Sequence, residues 1–163
     1  MVAAIGIVGR QSNVGKTEVT VRIVKELKAR GLRVATLKHD VHGFQMDQPG
    51  KDTFRHYEAG ADIVMISSKE KMAMIRRVED EYSLDDLLSM LTDVDIVVVE
   101  GYKNSTLPKV EVLRKGVNED LFCAKESLIG VVADFDVDLD GVMLFPFSDI
   151  TPLVEKIISD VIK

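Results

Sequence analysis

The segment AAIGIVGRQSNVGKTEVT, residues 3–20, decides the fold. Its first six residues are an almost unbroken apolar run, which is typical of a strand buried on both faces of a parallel sheet. Gly15-Lys16-Thr17 then opens a helical pattern that runs to about Arg30, with Gly31 placed to cap it. A buried strand, a Gly-Lys-Thr turn and a helix are the context of a phosphate-binding loop. The alternative is a helix that begins with these three residues by chance.

The loop is one residue longer than the usual pattern, which sets four residues between its two glycines. Five residues separate Gly9 from Gly15, and Arg10 stands where the first glycine is expected. A longer loop can keep the same cradle if the surplus residue lies at its entry. Arg10 would then face solvent or a partner. The predicted nucleotide-binding residues of the loop are Ser12, Asn13, Val14, Gly15, Lys16 and Thr17.

The chemistry of this loop predicts triphosphate binding. Its backbone N–H groups and the helix N-terminus favour phosphate oxygens. Lys16 would reach the β- and γ-phosphates, and the Thr17 hydroxyl would bind Mg²⁺.

A distant carboxylate fits the same site. Glu100 ends the hydrophobic run DIVVVE (95–100), and an acid at the tip of such a strand requires a cation or a hydrogen-bond donor. A phosphate loop needs such an acid to hold Mg²⁺. A solvated strand-end glutamate is the alternative.

Alternation of β-branched runs with helical patterns predicts the fold class. It is an α/β fold of the P-loop NTPase type, with a mostly parallel sheet flanked by helices and some antiparallel strands. Ligands of such sheets bind at the carboxyl ends of the strands. DIVMIS (62–67) and MAMIRR (72–77) suggest an antiparallel pair, and Ser83 suggests the N-cap of a short helix. Ser148 or Asp149 is expected to cap a closing helix. The absence of a Gly-, Ser- or Pro-rich linker predicts one nucleotide-binding domain over 1–163.

Composition limits the partners. The net charge of −6 argues against general nucleic-acid binding. The single cysteine, Cys123, cannot form an internal disulfide, and the apolar N-terminus is too short to span a membrane. We therefore expect a cytoplasmic protein that binds neither nucleic acid nor membrane.

Two longer stretches carry a family resemblance. LKHDVHGFQMDQPGKDTFRHYEAGA (37–61) and VVEGYKNSTLPKVEVLR (98–114) together resemble molybdopterin-guanine dinucleotide biosynthesis protein B, or MobB. Members have a Lys-His pair after the second strand, an Asp-x-Pro-Gly-Lys-Asp loop, and Val-Glu-Gly-(Phe/Tyr)-Lys further on. Order and spacing match from Gly9 to the final helix.

The resemblance implies GTP binding with slow hydrolysis. The protein would assist the molybdopterin guanylyltransferase that joins GMP to molybdopterin, and it would be a homodimer. The cofactors implied are GTP and Mg²⁺. Residues that carry out hydrolysis cannot be assigned, and the choice of guanine over adenine depends on the resemblance alone.

The middle motif adds further candidates. Lys38 ends the second strand and would touch a phosphate, unless it is an ordinary solvated lysine. Asp52 resembles the second metal-binding acid of dethiobiotin synthetase, with a helix N-cap as the alternative. Asp47 is the weaker metal candidate. Asp134 follows the strand LIGVVA and would accept hydrogen bonds from guanine N1 and N2, or it belongs to an acidic loop.

Positive charge also gathers in this motif. Lys51, Arg55 and His56 would suit a phosphorylated pterin such as molybdopterin. A zinc site at His39, His42 and His56 is disfavoured, because no cysteine or close acid completes a tetrahedral set.

Two other functions compete with the adapter. An ATP-dependent ligase of the dethiobiotin synthetase type shares the lengthened loop, the strand-end lysine and the Val-Glu-Gly acid, but it usually follows that acid with a glycine-rich segment. A metallochaperone GTPase would need a metal-handling cysteine or histidine motif, which one cysteine and three separated histidines do not supply.

Overall fold

The computed structural model describes residues 2–162, which divide into two units. The first unit contains the described residues through His39 and from Ser83 onward, and the second is Asp40–Tyr82. The elements in chain order are β1 (Ala3–Val8), α1 (Lys16–Ala29), β2 (Val34–Lys38), α2 (Asp52–Glu58), β3 (Ile63–Ser67), β4 (Met72–Arg76), α3 (Leu84–Ser89), β5 (Ile96–Glu100), β6 (Lys109–Leu113), a 3-10 turn (Lys125–Ser127), β7 (Leu128–Ala133), β8 (Leu144–Pro146) and α4 (Thr151–Val161). The single-domain expectation stays a prediction, because this division does not show whether either unit folds alone.

The first unit is built on a six-stranded sheet with the order β2-β5-β1-β6-β7-β8. Every neighbouring pair in it is parallel. The central strands β1, β5 and β6 are buried on both faces. The apolar runs of β1 and β5 require this, whereas β6 buries Lys109 and Glu111 together with its apolar residues. The predicted fold class, a mostly parallel sheet with helices and a small antiparallel pair, is confirmed.

One face of this sheet is covered by α1 and α4. Val19, Ile23 and Leu27 of α1 are fully buried in the same cluster as Ile5 and Val98. The predicted Gly31 cap is confirmed: Gly31 N–H donates to Lys28 O at 3.0 Å and Leu32 N–H to Leu27 O at 3.2 Å. This Schellman pattern satisfies the last helical carbonyls and turns the chain into β2.

The opposite face is covered in part by α3, whose Leu88 packs against Val97 and Val99. Ser83 caps α3 as predicted, because its hydroxyl accepts the Asp86 N–H at 3.1 Å. The cap predicted for the closing helix is wrong. Ile150 is the N-cap residue of α4, although Asp149 Oδ1 accepts the N–H of Thr151 at 2.9 Å. Asp149, one residue before the N-cap, therefore accepts one of the N–H groups that a helix N-terminus leaves without a helical partner.

The second unit holds α2 and the antiparallel pair β3–β4, which agrees with the predicted pairing. The Arg77 guanidinium lies 3.8 Å from the centre of the Tyr57 ring, and its Nη2 donates to Tyr57 O at 2.5 Å. These contacts link the end of the hairpin to the helix. Within residues 2–162, no helix is long and apolar enough to cross a membrane.

Candidate functional site

The extended loop lies between β1 and α1 at the carboxyl end of the sheet, where ligands of parallel sheets bind. Val14 is fully buried in the apolar cluster under α1, so it anchors the loop from below. Asn13 has φ 64° and Gly15 has φ 101°. These left-handed residues on either side of Val14 bend the backbone into the entry of the helix.

Lys16 points back over this loop, because its Nζ donates to Gln11 O at 2.8 Å. Burial lowers the pKa of the Lys16 ammonium below its ordinary 10.5. Glu100 opposes that effect, and the charges of Lys103 and Lys38 lower the pKa further. A lysine held beside two other cations and only partly compensated by one acid is suited to an anion of several charges.

Thr17 and Glu100 meet although 83 residues separate them in the chain. The Thr17 hydroxyl lies 3.0 Å from one oxygen of the Glu100 carboxylate and 3.2 Å from the other. Glu100 ends β5 next to Ile7 of β1, and it is only 9% exposed. The two predicted metal-binding side chains of this unit are thus brought together.

The pair suits Mg²⁺. This ion takes oxygen ligands, and it commonly keeps waters and phosphate oxygens while binding one or two protein side chains. A hydroxyl and a nearly buried carboxylate that share one hydrogen bond match that donor set. The chemistry that Mg²⁺ supplies is neutralisation of triphosphate charge.

Two more cations flank this pair. Lys38, the last residue of β2, lies opposite Glu100 in the strand register and is exposed. Lys103 is the cation that the sequence reasoning missed, and its Nζ donates to Arg10 O at 3.1 Å. It lies in the Val-Glu-Gly-Tyr-Lys motif, which was the available signal.

Arg10 is exposed, and its Nη2 donates to Leu121 O at 3.3 Å. Arg10 therefore contacts the segment that leads from β6 to β7.

Asp134 follows β7, and both of its oxygens have partners. Oδ1 accepts the Lys115 N–H at 2.8 Å, and Oδ2 lies 3.3 Å from Arg114 Nε. The Arg114 guanidinium also lies 5.2 Å from the centre of the Phe147 ring. Arg114 and Phe147 were not predicted as site residues. Arg114 is the last residue of the stretch 98–114 that carries the family resemblance, whereas Phe147 belongs to no motif, and each directly follows a strand.

The remaining candidates belong to the second unit. Asp52 is the first residue of α2, and Lys51 is the N-cap residue of this helix. The alternative that Asp52 is the N-cap is therefore wrong by one position. Asp47 Oδ1 accepts the N–H of Gln48, while its buried Oδ2 accepts no hydrogen bond within the described chain. The metal roles of Asp52 and Asp47 stay predictions. Among residues 2–162, no three His, Cys, Asp or Glu side chains are placed to hold a metal by themselves.

A second buried carboxylate lies outside the predicted site. Glu111 in β6 is fully buried, and it accepts the N–H groups of Phe122 and Cys123 at 3.0 and 3.1 Å. Burial raises the pKa of Glu111. Burial and the Glu111 charge together raise the pKa of the Cys123 thiol to about 12. Glu111 thereby fixes the segment that Arg10 contacts through Leu121.

Comparisons with known proteins identify the family. The model of the family described as molybdopterin guanine dinucleotide synthesis protein B matches residues 4–134. The chain is 33% identical over 142 residues to the molybdopterin-guanine dinucleotide biosynthesis adapter protein of Haemophilus influenzae, which covers 86% of this chain and 79% of that protein. It is 30% identical over 154 residues to the adapter protein of the same name from Escherichia coli, covering 90% and 87%.

Solved structures give the same result. A crystal structure of molybdopterin-guanine biosynthesis protein B superposes with a TM-score of 0.73 at 30% identity, covering 96% of this chain and 98% of that one. The crystal structure of Bacillus subtilis MobB gives a TM-score of 0.73 at 25% identity, covering 98% of each chain. The chain therefore belongs to the molybdopterin guanine dinucleotide synthesis protein B (MobB) family.

Proposed function

We propose that the protein is a GTP-binding adapter in the biosynthesis of the molybdopterin guanine dinucleotide cofactor. It binds GTP with Mg²⁺, hydrolyses it slowly, and assists the guanylyltransferase that attaches GMP to molybdopterin. It acts as a homodimer. The single observation that carries the proposal is the Thr17–Glu100 pair beside the phosphate loop.

The electrostatics support triphosphate as the ligand. The charges of Lys103 and Lys38 lower the pKa of Lys16 at the carboxyl end of the sheet, and Glu100 is the acid that raises it. The helix N-terminus behind Lys16 adds partial positive charge. A ligand with several negative charges and a Mg²⁺ ion would satisfy both the cations and the acid.

The relatives support the pathway. The Haemophilus influenzae and Escherichia coli proteins are both named molybdopterin-guanine dinucleotide biosynthesis adapters, and similarity to them extends over most of this chain. GTP is the nucleotide that a GMP-transferring partner consumes. An adapter that holds GTP would therefore deliver it to that partner or gate the transfer. No observation in the structure or in the comparisons favours the ligase alternative.

The test is calorimetric titration with GTP and with ATP, each with Mg²⁺. We expect the wild-type protein to bind GTP more tightly than ATP. Lys16→Ala removes the ammonium that reaches the phosphates, and it should weaken GTP binding by about 1–3 kcal/mol, because charge-assisted hydrogen bonds have that strength. Lys25→Ala is the matched control, since Lys25 is an exposed lysine further along α1.

Two results would contradict the proposal. Unchanged affinity in Lys16→Ala would exclude the loop as the phosphate site. Tighter binding of ATP would favour the ligase. The adapter role has its own assay: the wild-type protein should raise the rate of dinucleotide formation by a purified molybdopterin guanylyltransferase, and Lys16→Ala should not.

A further inference from the structure

Three residues that immediately follow neighbouring parallel strands gather beside the phosphate loop. Arg114 follows β6, Asp134 follows β7 and Phe147 follows β8. These strands are adjacent in the sheet, and β6 is also the neighbour of β1, from which the loop emerges. The Phe147 ring would lie 3.0 Å from a Cβ added to Gly15, so the cluster reaches the loop itself.

The backbone holds this cluster in place from several sides. Phe147 N–H donates to Ala133 O at 3.3 Å, and the Arg22 guanidinium donates to Phe147 O. Lys115 N–H donates to Asp134 Oδ1. The Phe147 backbone and the Asp134 carboxylate are therefore held at the strand ends, whereas the long Arg114 side chain is 44% exposed.

Arg114 makes two contacts of a particular kind. Its Nε lies 3.3 Å from Asp134 Oδ2 in an ion pair, and its Cζ lies over the Phe147 ring, 5.2 Å from the ring centre. Guanine has the same two properties: a planar face that stacks on an aromatic ring, and adjacent N1–H and N2–H donors along one edge. Adenine has a lone pair at N1, which a carboxylate repels.

We propose that Arg114, Asp134 and Phe147 form the subsite for the nucleotide base, in which the Arg114 guanidinium occupies the place of the guanine donor edge. GTP displaces this guanidinium, stacks its base on Phe147 and donates N1–H and N2–H to Asp134. The subsite rejects adenine, and Arg114 sets the affinity by competing with guanine. This inference rests on the proposed nucleotide binding.

The test compares four ligands by calorimetry: GTP, xanthosine triphosphate (XTP), ATP and inorganic tripolyphosphate. In Asp134→Asn one acceptor becomes an N–H donor that matches the C2 carbonyl of xanthine. We expect GTP affinity to fall at least about tenfold and the preference to invert toward XTP. Asp140→Asn is the matched control, since Asp140 is an exposed aspartate paired with Lys125, and it should leave all four affinities unchanged.

Arg114→Ala tests the competition. In Arg114→Ala the guanidinium is gone, so GTP no longer has to displace it. GTP affinity should therefore rise at least about threefold. Arg30→Ala, which removes an exposed arginine paired with Glu26 near the other end of α1, should change nothing. Tripolyphosphate affinity should stay the same in Asp134→Asn and in both control variants, since these substitutions leave the loop unchanged.

Either of two results would overturn the inference. One is a ratio of GTP to XTP affinity that Asp134→Asn leaves unchanged. The other is a loss of GTP affinity in Arg114→Ala, which would make Arg114 a ligand of the nucleotide. A wild-type protein that binds neither GTP nor tripolyphosphate would instead refute the proposed function, so the two failures are distinguishable.

Discussion

Replacing Gly15 by alanine should damage the phosphate loop in two ways that can be separated. Gly15 has φ 101°, where a residue with a Cβ is strained by about 1–2 kcal/mol. The added Cβ would also lie 3.0 and 3.2 Å from two atoms of the Phe147 ring. Crowding of this kind costs about 1–3 kcal/mol. The sum is a loss of roughly 2–5 kcal/mol in the free energy of unfolding.

Gly31→Ala is the matched control. Gly31 has φ 81°, so alanine is strained there too, but nothing lies within 4 Å of the added Cβ. We expect it to lose only about 1–2 kcal/mol. With a urea slope of about 2 kcal/mol per molar, the unfolding midpoint should fall by about 0.5–1 M in Gly31→Ala and by about 1–2.5 M in Gly15→Ala.

The assay is urea unfolding of both variants, followed by GTP titration of the folded proteins. Gly15→Ala should also lose GTP affinity, because the loop backbone that faces the phosphates moves, whereas Gly31→Ala should keep it. In a Phe147→Ala background, the free energy of unfolding that Gly15→Ala removes should shrink to the cost of the backbone strain alone. Equal midpoint shifts for the two glycine variants would refute the close approach of Phe147, and unchanged GTP affinity in Gly15→Ala would refute the cradle.

Three further predictions concern Thr17, Glu111 and Cys123. Thr17→Val removes the hydroxyl that donates to Glu100, and calorimetric titration should find that Mg²⁺ raises GTP affinity less than it does in the wild-type protein; an unchanged effect of Mg²⁺ would place the ion away from Thr17. Because the pKa of Glu111 is raised in the folded state, the native protein holds this proton to higher pH than the unfolded chain, and the free energy of unfolding should fall as pH rises from about 4.5 through the raised pKa. Urea unfolding across that range should show this fall in the wild-type protein and not in Glu111→Gln, which cannot titrate there. A pKa of about 12 leaves Cys123 with about a thousandfold less thiolate at pH 8 than a thiol of pKa 9.0, so alkylation should be correspondingly slow, and an ordinary rate would contradict the burial.

The sequence predicted those parts of the molecule that depend on local pattern. The apolar run of β1, the Gly31 cap and the Ser83 cap each involve residues a few positions apart, and all were confirmed. The approach of Thr17 to Glu100 was also predicted, although it spans 83 residues. It followed because both residues stand where a parallel sheet brings strand ends and loop together.

The contacts that the sequence did not predict depend on strand order and side-chain direction. Arg114, Asp134 and Phe147 come from three separate strands, and only the order β6-β7-β8 makes them neighbours. Asp134 alone was predicted as a site residue. The pairing of Glu111 with Phe122 and Cys123 was invisible for the same reason, because alternating residues such as KVEVL do not reveal which loop closes over them.

The most direct test of the account is a crystal structure of the protein grown with a non-hydrolysable GTP analogue and Mn²⁺ in place of Mg²⁺. We predict an anomalous Mn²⁺ peak within bonding distance of Thr17 Oγ1, with the Glu100 carboxylate bound to the ion directly or through a water. The triphosphate should lie in the loop over residues 12–17. A metal and triphosphate located away from Thr17 and Glu100 would contradict the central claim.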